Sequence, residues 1–455
     1  MRIFFIALAF ILTVALPALA AKVLNVEKLT TPKGIEVWFV HDETVPVISM
    51  NFSFEGGLAL DPVDKPGVGR MVSILLDEGA GEMKSQQFQS LLDANAINIG
   101  FTAGRDAFYG ELKTLSATKN LAFDLLRQAL SAPRFDNDAV ERMRSANTAR
   151  IRQDMTDPSW LIARTFNGMA FEGHPYGIPG FGTPESMEKI TRKDLQTFVH
   201  RQFTRKSLRV AIAGDISAGD AITMTDSVFG GLPEKMFEIS AKDVTVGYAG
   251  KTILLPLDAP QTYVMAGAPG MKRNDRDWHA AVILNYILGG GEFDSRLMHE
   301  IREKRGLTYG VYTALSSMKY STLLQASFSA SGEKAAEAVT ILKQEWEKMA
   351  KEGVSAQELA DAKAYLTGSL LLELTSTGDI AGTLNGLQRD DLDYNYINKR
   401  NDEIESVSLS DVKRVAAKLM DPNLLTIVLV GQPKGISADI MLDVPPGMNL
   451  SAPKP

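Results

Sequence analysis

Residues 288–312 read LGGGEFDSRLMHEIREKRGLTYGVY. Three consecutive glycines, Gly289, Gly290 and Gly291, let a backbone approach a neighbour closely and present its N–H groups. A short helical run follows, then the charged stretch Arg302-Glu303-Lys304-Arg305 and the exit Gly306-Leu307-Thr308-Tyr309. Arg302 offers a planar fork of donors and Tyr309 a phenol O–H. Taken alone, the stretch also reads as a loop, a helix and a turn with a solvated charge run. No Gly-Lys-Ser/Thr follows the glycines, so they do not form a phosphate loop.

Elsewhere the chain echoes this stretch. Gly79, Gly81, Glu82 and Ser85 recur as Gly289, Gly291, Glu292 and Ser295, an offset of about 210 residues. Ser355-Ala356-Gln357-Glu358 opens a helix as the capping-box-like Asp138-Ala139-Val140-Glu141 does, about 217 residues earlier. Asp411-Val412, a strand ending at Val430, and Gly431 repeat Asp194-Leu195, the strand Ser207 to Ala213, and Gly214 at the same offset. A shared offset predicts a tandem duplication of an α+β unit of about 200 residues. Alternating or apolar runs predict strands at 36–40, 47–54, 97–112 and 207–213. Helices are predicted over 66–76, 85–92, 118–130, 138–153 and 191–202. Gly173-His174-Pro175-Tyr176-Gly177 opens an irregular packing loop that runs to Gly182. The expected organisation is two homologous halves, 22–231 and 251–440, joined by a linker over 232–250 and followed by a tail over 441–455. Each half would pack helices on an antiparallel sheet.

Composition narrows the function. The chain has 455 residues, 45% hydrophobic and 23% charged, with a net charge of −7 and no long basic block, so nucleic acid finds no electrostatic footprint. There are no cysteines, which excludes disulfides, thiolate chemistry and Cys-held metals. Arg2, an apolar run from Ile3 to Leu16 and the small-x-small Ala18-Leu19-Ala20 read as a signal peptide over 1–20, removed after Ala20. No later run is long and apolar enough to span a membrane. The expectation is an exported chain, periplasmic in a bacterium.

The run PGMKRNDRDWHAAVILNYILGGGEFDSRLMHEIREKRGLTYGVY resembles the second-half signature of the pitrilysin and mitochondrial-processing-peptidase family of zinc peptidases. EGGLALDPVDKPGVG and GHPYGIPGFGTPESMEKITRKDL resemble first-half signatures of that family. The resemblance covers nearly the whole chain after residue 20. It implies two homologous halves that form a clamshell chamber around an extended peptide. It also implies an inverted motif, H-x-x-E-H, whose histidines hold zinc from one helix face while the glutamate activates water. On this chain the motif falls on Arg70-Met71-Val72-Ser73-Ile74, so Arg70 and Ile74 replace the histidines and Ser73 the glutamate. A third ligand, a glutamate, would come from the helix at 138–153. No acidic residue lies between Glu141 and Asp154, and Arg144, Arg150 and Arg152 stand there instead. The five histidines, His41, His174, His200, His279 and His299, offer no second helix-face pair. No metal is expected in this chain.

What the resemblance implies for the second half is intact. An arginine and a tyrosine of the family bind the substrate backbone and help to stabilise the oxyanion, and these positions match Arg302 and Tyr309. Gly289, Gly290 and Gly291 match its glycine-rich, substrate-binding segment. The pattern resembles the non-zinc subunit of a two-chain peptidase, whose zinc is brought by a paralogous partner. Three other readings stay open: a catalytically inactive scaffold, a stand-alone binder of extended peptides and a solo zinc peptidase.

Overall fold

The computed structural model describes residues 23–235 and 241–443. The expected signal peptide, part of the linker and most of the tail lie outside these residues. The first sheet contains β1 (Glu27–Thr30), β2 (Glu36–His41), β3 (Val47–Glu55), β6 (Asn98–Ala103), β7 (Ala107–Leu115) and β8 (Leu208–Gly214). A small hairpin of β4 (Gly79–Ala80) and β5 (Met83–Lys84) stands apart. The second sheet contains β9 (Thr252–Pro256), β10 (Thr262–Ala268), β11 (Thr308–Ser317), β12 (Thr322–Ala330), β13 (Thr426–Gly431) and β14 (Ile440–Met441). Strand order is β1-β2-β8-β3-β7-β6 in the first and β11-β12-β10-β13-β9-β14 in the second. Read from opposite ends, five strands of each sheet correspond: β2 with β9, β8 with β13, β3 with β10, β7 with β12 and β6 with β11. The sixth does not. β1 precedes its sheet and pairs antiparallel to β2, whereas β14 closes its sheet from the other end of the chain and pairs parallel to β9.

The fold is α+β, but the sheets are not purely antiparallel. β2 runs parallel to β8, and β9 parallel to β13. In each case the second strand returns only after several helices, which leaves room for a parallel approach.

These central strands are buried on both faces, and the pleat separates two cores. On β2, Val37 and Phe39 join the core of the first half, while Trp38 and Val40 face the other way. On β8, Val210 and Ile212 split from Ala211 and Ala213 in the same manner. The helices at Lys119–Ser131, Asn137–Asp154 and Arg192–Gln202 cover the first face. The second face is covered by a helix of the other half, Thr377–Arg389, through Ile380, Ala381, Leu384 and Leu387. The exchange is reciprocal. The helix Pro158–Ala170 of the first half lays Leu161, Ile162 and Phe166 on Ile253, Leu255, Val428 and Val430 of the second sheet. Phe166 is wholly buried, and its ring lies where a Cβ on Gly267 of β10 would stand.

Polar contacts close the same seam. Tyr176 donates its hydroxyl proton to Asp106 Oδ1 at 2.6 Å and accepts from the Tyr320 N–H at 3.0 Å. Asp106 Oδ2 accepts from the Lys319 N–H at 3.1 Å, and Lys319 also pairs with Glu55. The linker residue Val244 donates its N–H to Tyr320 O at 2.8 Å, and Gly247 its own to Ala170 O at 2.8 Å.

Candidate functional site

The segment quoted at the outset is more tightly built than an open loop. The helix Trp278–Asn285 widens at its end into a turn over Tyr286–Gly290, and Gly291 N–H reaches back to Tyr286 O at 2.8 Å. Gly289 and Gly291 are buried, and only Gly290 is exposed. A Cβ on Gly289 would lie 2.7 Å from Thr313 Cγ2 and 3.1 Å from the Thr313 backbone nitrogen. Of the three glycines expected to present N–H groups to a ligand, Gly290 alone stands at the surface. Gly289 brings the helix end against β11, and Gly291 spends its N–H inside the turn.

Arg302 lies in a second wide turn, Met298–Glu303, where Lys304 N–H bonds His299 O at 3.0 Å. Such five-residue turns break the regular helical ladder and occur frequently at functional sites. Gly306, at φ +58°, stops the helix: its N–H donates to Arg302 O at 2.8 Å, and Leu307 N–H donates to Ile301 O at 3.0 Å. The guanidinium of Arg302 rests 4.8 Å from the centroid of Phe293. It does not pair with Glu303, which instead meets His299 at 3.0 Å. Lys304 and Arg305 both turn to Glu300, holding that carboxyl down to about 2. The charge run is thus internally satisfied except at Arg302, which has no ion pair among the described residues.

Tyr309 sits in a β-bulge. Thr308 pairs with Ala330 and Val311 with Phe328, so Tyr309 and Gly310 together oppose Ser329. Thr308 Oγ1 holds the bulge by donating to Gly310 O at 2.9 Å and Ser329 O at 2.7 Å. Bulges re-aim side chains, and here the phenol of Tyr309 is 88% exposed on an edge strand. Phe293 and Tyr312 are also exposed, at 57% and 52%. Tyr309 is therefore not core. The segment is fixed from behind by Arg296, which forks onto Glu358 at 2.6 and 2.8 Å.

The degenerate motif lies in the other half, on the helix Val68–Ser73. Asp61 accepts N–H bonds from Gly67 at 2.7 Å and Gly69 at 2.8 Å at that helix's start, and burial pushes its carboxyl up to about 7. Arg70 is half-buried, with its guanidinium 5.2 Å from the Phe181 ring, and its Nε is buried without a partner. Arg150 lies over the same ring at 5.5 Å. Burial, then the charge of Arg150, lowers the pKa of Arg70. Ser73 Oγ donates to Arg70 O at 2.8 Å, and Ile74 packs against the core. Arg144 and Arg150 lie on the helix Asn137–Asp154, from which the resemblance would draw an acidic ligand, and Arg144 donates to Ile190 O at 2.7 Å. These residues do not fit zinc: three cations and an engaged hydroxyl repel or ignore a metal ion. Among the described residues no group of three or more His, Asp or Glu side chains converges.

The capping-box reading at Asp138 is corrected. The helix begins at Asn137, and Asp136, just outside it, is held by Arg134 at 2.6 and 3.2 Å rather than by the helix. Ser355 and Glu358 do form the reciprocal box. Sequence reading placed Tyr176 in a packing loop but missed the seam contacts of Arg105, Asp106 and Tyr176, because isolated polar residues in glycine-rich loops carry no periodicity.

Residues 189–366 match the sequence profile of the Peptidase M16 inactive domain. The chain is 25% identical over 418 residues to a non-peptidase homolog of Helicobacter pylori, covering 91% of this chain and 96% of that one. Over residues 189–366, and more distantly over most of its length, the chain is similar to peptidase M16 proteins. An uncharacterized zinc protease of Mycobacterium tuberculosis is 29% identical over 355 residues, 73% of this chain and 79% of its own. A crystal structure of an M16 inactive domain from Pseudomonas fluorescens superposes with a TM-score of 0.85 at 26% identity, over 92% of this chain and 100% of that one. A protease from Helicobacter pylori shares the fold, with a TM-score of 0.82 at 19% identity.

Proposed function

We propose that this chain is the non-zinc subunit of an exported two-chain endopeptidase. Its paralogous partner brings the zinc, and this chain brings Arg302 and Tyr309 to the substrate. The observation that supports this most directly is the bulge at Tyr309, which turns a phenol outward from the edge strand, seven residues after an arginine that has no ion pair among the described residues. An Arg fork and a Tyr O–H both donate to a carbonyl oxygen that gains charge. Phe293 holds the guanidinium without neutralising it. Among the described residues no group replaces the metal ligands that Arg70, Ser73 and Ile74 do not supply, so no metal-activated water is provided from this chain's own side. Alone, therefore, the chain does not cleave peptides.

The test is cleavage of an unstructured peptide by each chain alone and by the mixture with a zinc-bearing M16 paralogue from the same genome. Activity is expected in the mixture. Removing one such donor, by Arg302→Ala or Tyr309→Phe, is expected to lower kcat by about 10²–10³. Full activity of the doubly substituted mixture would remove the proposed role of the pair.

A further inference from the structure

The loop from Pro175 to Gly182 and the helix Pro158–Ala170 enclose a cavity of about 310 Å³ in the first half. Two half-buried arginines line it. Arg164 gives one N–H to Gly177 O at 2.7 Å. Arg105 gives one to Met318 Sδ at 2.8 Å and a long one to Asn167 Oδ1 at 3.5 Å. Neither forms an ion pair with any described residue, and no carboxylate lines the cavity. The rest of the wall is aromatic and apolar, chiefly Trp160, Tyr176 and Phe181.

The surroundings add positive charge. Arg70 and Arg150 both lie over Phe181, so four guanidinium groups surround one loop. Glu185 and Asp443 line the adjoining pocket on the far side of Arg164, without an ion pair to it, and the carboxylates of Asp154 and Asp106 are engaged. Asp154 sits 3.7 Å from Arg150, and Asp106 already accepts from Tyr176 and from the Lys319 N–H. Burial lowers the pKa of Arg105 and of Arg164, with Asp106 and then Tyr176 partly offsetting it at Arg105. A guanidinium taken out of water without an anion is unfavourable, and its unused N–H groups remain as donors. A carboxylate entering the cavity would accept charge-assisted bonds from them, and an apolar group beside it would pack on the rings.

We propose that this cavity binds a carboxylate carried on an apolar group, the chemistry found at the C-terminus of a peptide that ends in an apolar residue. The site lies beside the degenerate motif helix but needs neither zinc nor a partner chain. It can therefore fail or succeed independently of the role assigned to Arg302 and Tyr309.

The experiment is calorimetric titration of the purified chain, without any partner, with three probes: a tripeptide ending in phenylalanine, the same peptide amidated, and 3-phenylpropionate. The free-acid peptide is expected to bind at least about tenfold more tightly than the amide, since charge-assisted bonds are about twice as strong as neutral ones. Binding of phenylpropionate alone would assign the site to small acids rather than peptide ends and keep the carboxylate chemistry. Equal binding of acid and amide, or binding of none of the three, would overturn the proposal. Arg164→Gln should weaken the acids at least about tenfold, while Arg276→Gln, on the exposed surface, should not. Because the acid-against-amide contrast is read on the unaltered chain, the result stands even where Arg164→Gln disturbs folding.

Discussion

At the residue scale, the chain places ionisable groups where backbone order depends on them. Asp61 holds the start of the Val68–Ser73 helix, yet burial pushes its carboxyl up to about 7. The folded chain therefore binds this proton more tightly than the unfolded chain, whose aspartates titrate near about 4. The stabilisation from this group is complete below about pH 4 and is lost as pH rises through about 7. Urea midpoints between pH 4 and 8 should fall on this account, and Asp61→Asn should flatten that slope. An identical slope in the variant would remove Asp61 as its source. Glu358 behaves oppositely. Burial opposes its charge, but the Arg296 fork and the Ser355 cap outweigh burial and hold it down to about 2. Its contribution is present above about pH 4.3 and is lost as pH falls through about 2. Glu358→Gln should lower the Tm at pH 7 and narrow its difference from the unaltered chain at pH 2.

At the element scale, local signals were good guides wherever a pattern repeats. The matched glycines at 79–81 and 289–291 and the shared offset of later helices made the duplication readable, since folding units copied together keep their spacing. What the glycines do was not readable. Three in a row promise an open loop, whereas Gly289 is small because β11 passes against it. Gly289→Ala should cost about 1–3 kcal/mol by overpacking, measured by chemical denaturation, with m unchanged if the fold is kept. Arg302 and Tyr309 were recognisable by resemblance, but their presentation was not. A bulge depends on which residues face it across the sheet, and Ser329, opposite Tyr309 and Gly310, lies on the next strand where no local pattern around Tyr309 reveals it. The cap at Asp138 misled because Arg134, outside the helix, competes for Asp136.

At the scale of the whole molecule, the exchanged helices decide stability. Apolar runs such as Thr426–Gly431 announce strands buried on both faces, but nothing in such a run says which half supplies the cover. The two cores on either side of each sheet join the halves into one cooperative body. Phe166→Ala should cost about 3–5 kcal/mol and should loosen the second sheet, although Phe166 belongs to the first half. Amide exchange in β10 and β13 should accelerate with it, and calorimetry of the unaltered chain should show one transition rather than two. Protection lost only within the first half would contradict this account. No described helix is long and apolar enough to cross a membrane.

The reciprocal placement of Pro158–Ala170 and Thr377–Arg389 has the geometry of a domain-swapped homodimer whose two chains have become one. A lone half would carry a helix with no sheet beneath it and a sheet with one bare face. Such a unit is stable only as a pair. Two polypeptides encoding residues 23–235 and 241–443 and made in one cell should accordingly copurify one to one, and either made alone should aggregate. On this view the ancestral gene product was already a dimer before its gene doubled. Fusion then freed each half to diverge on its own.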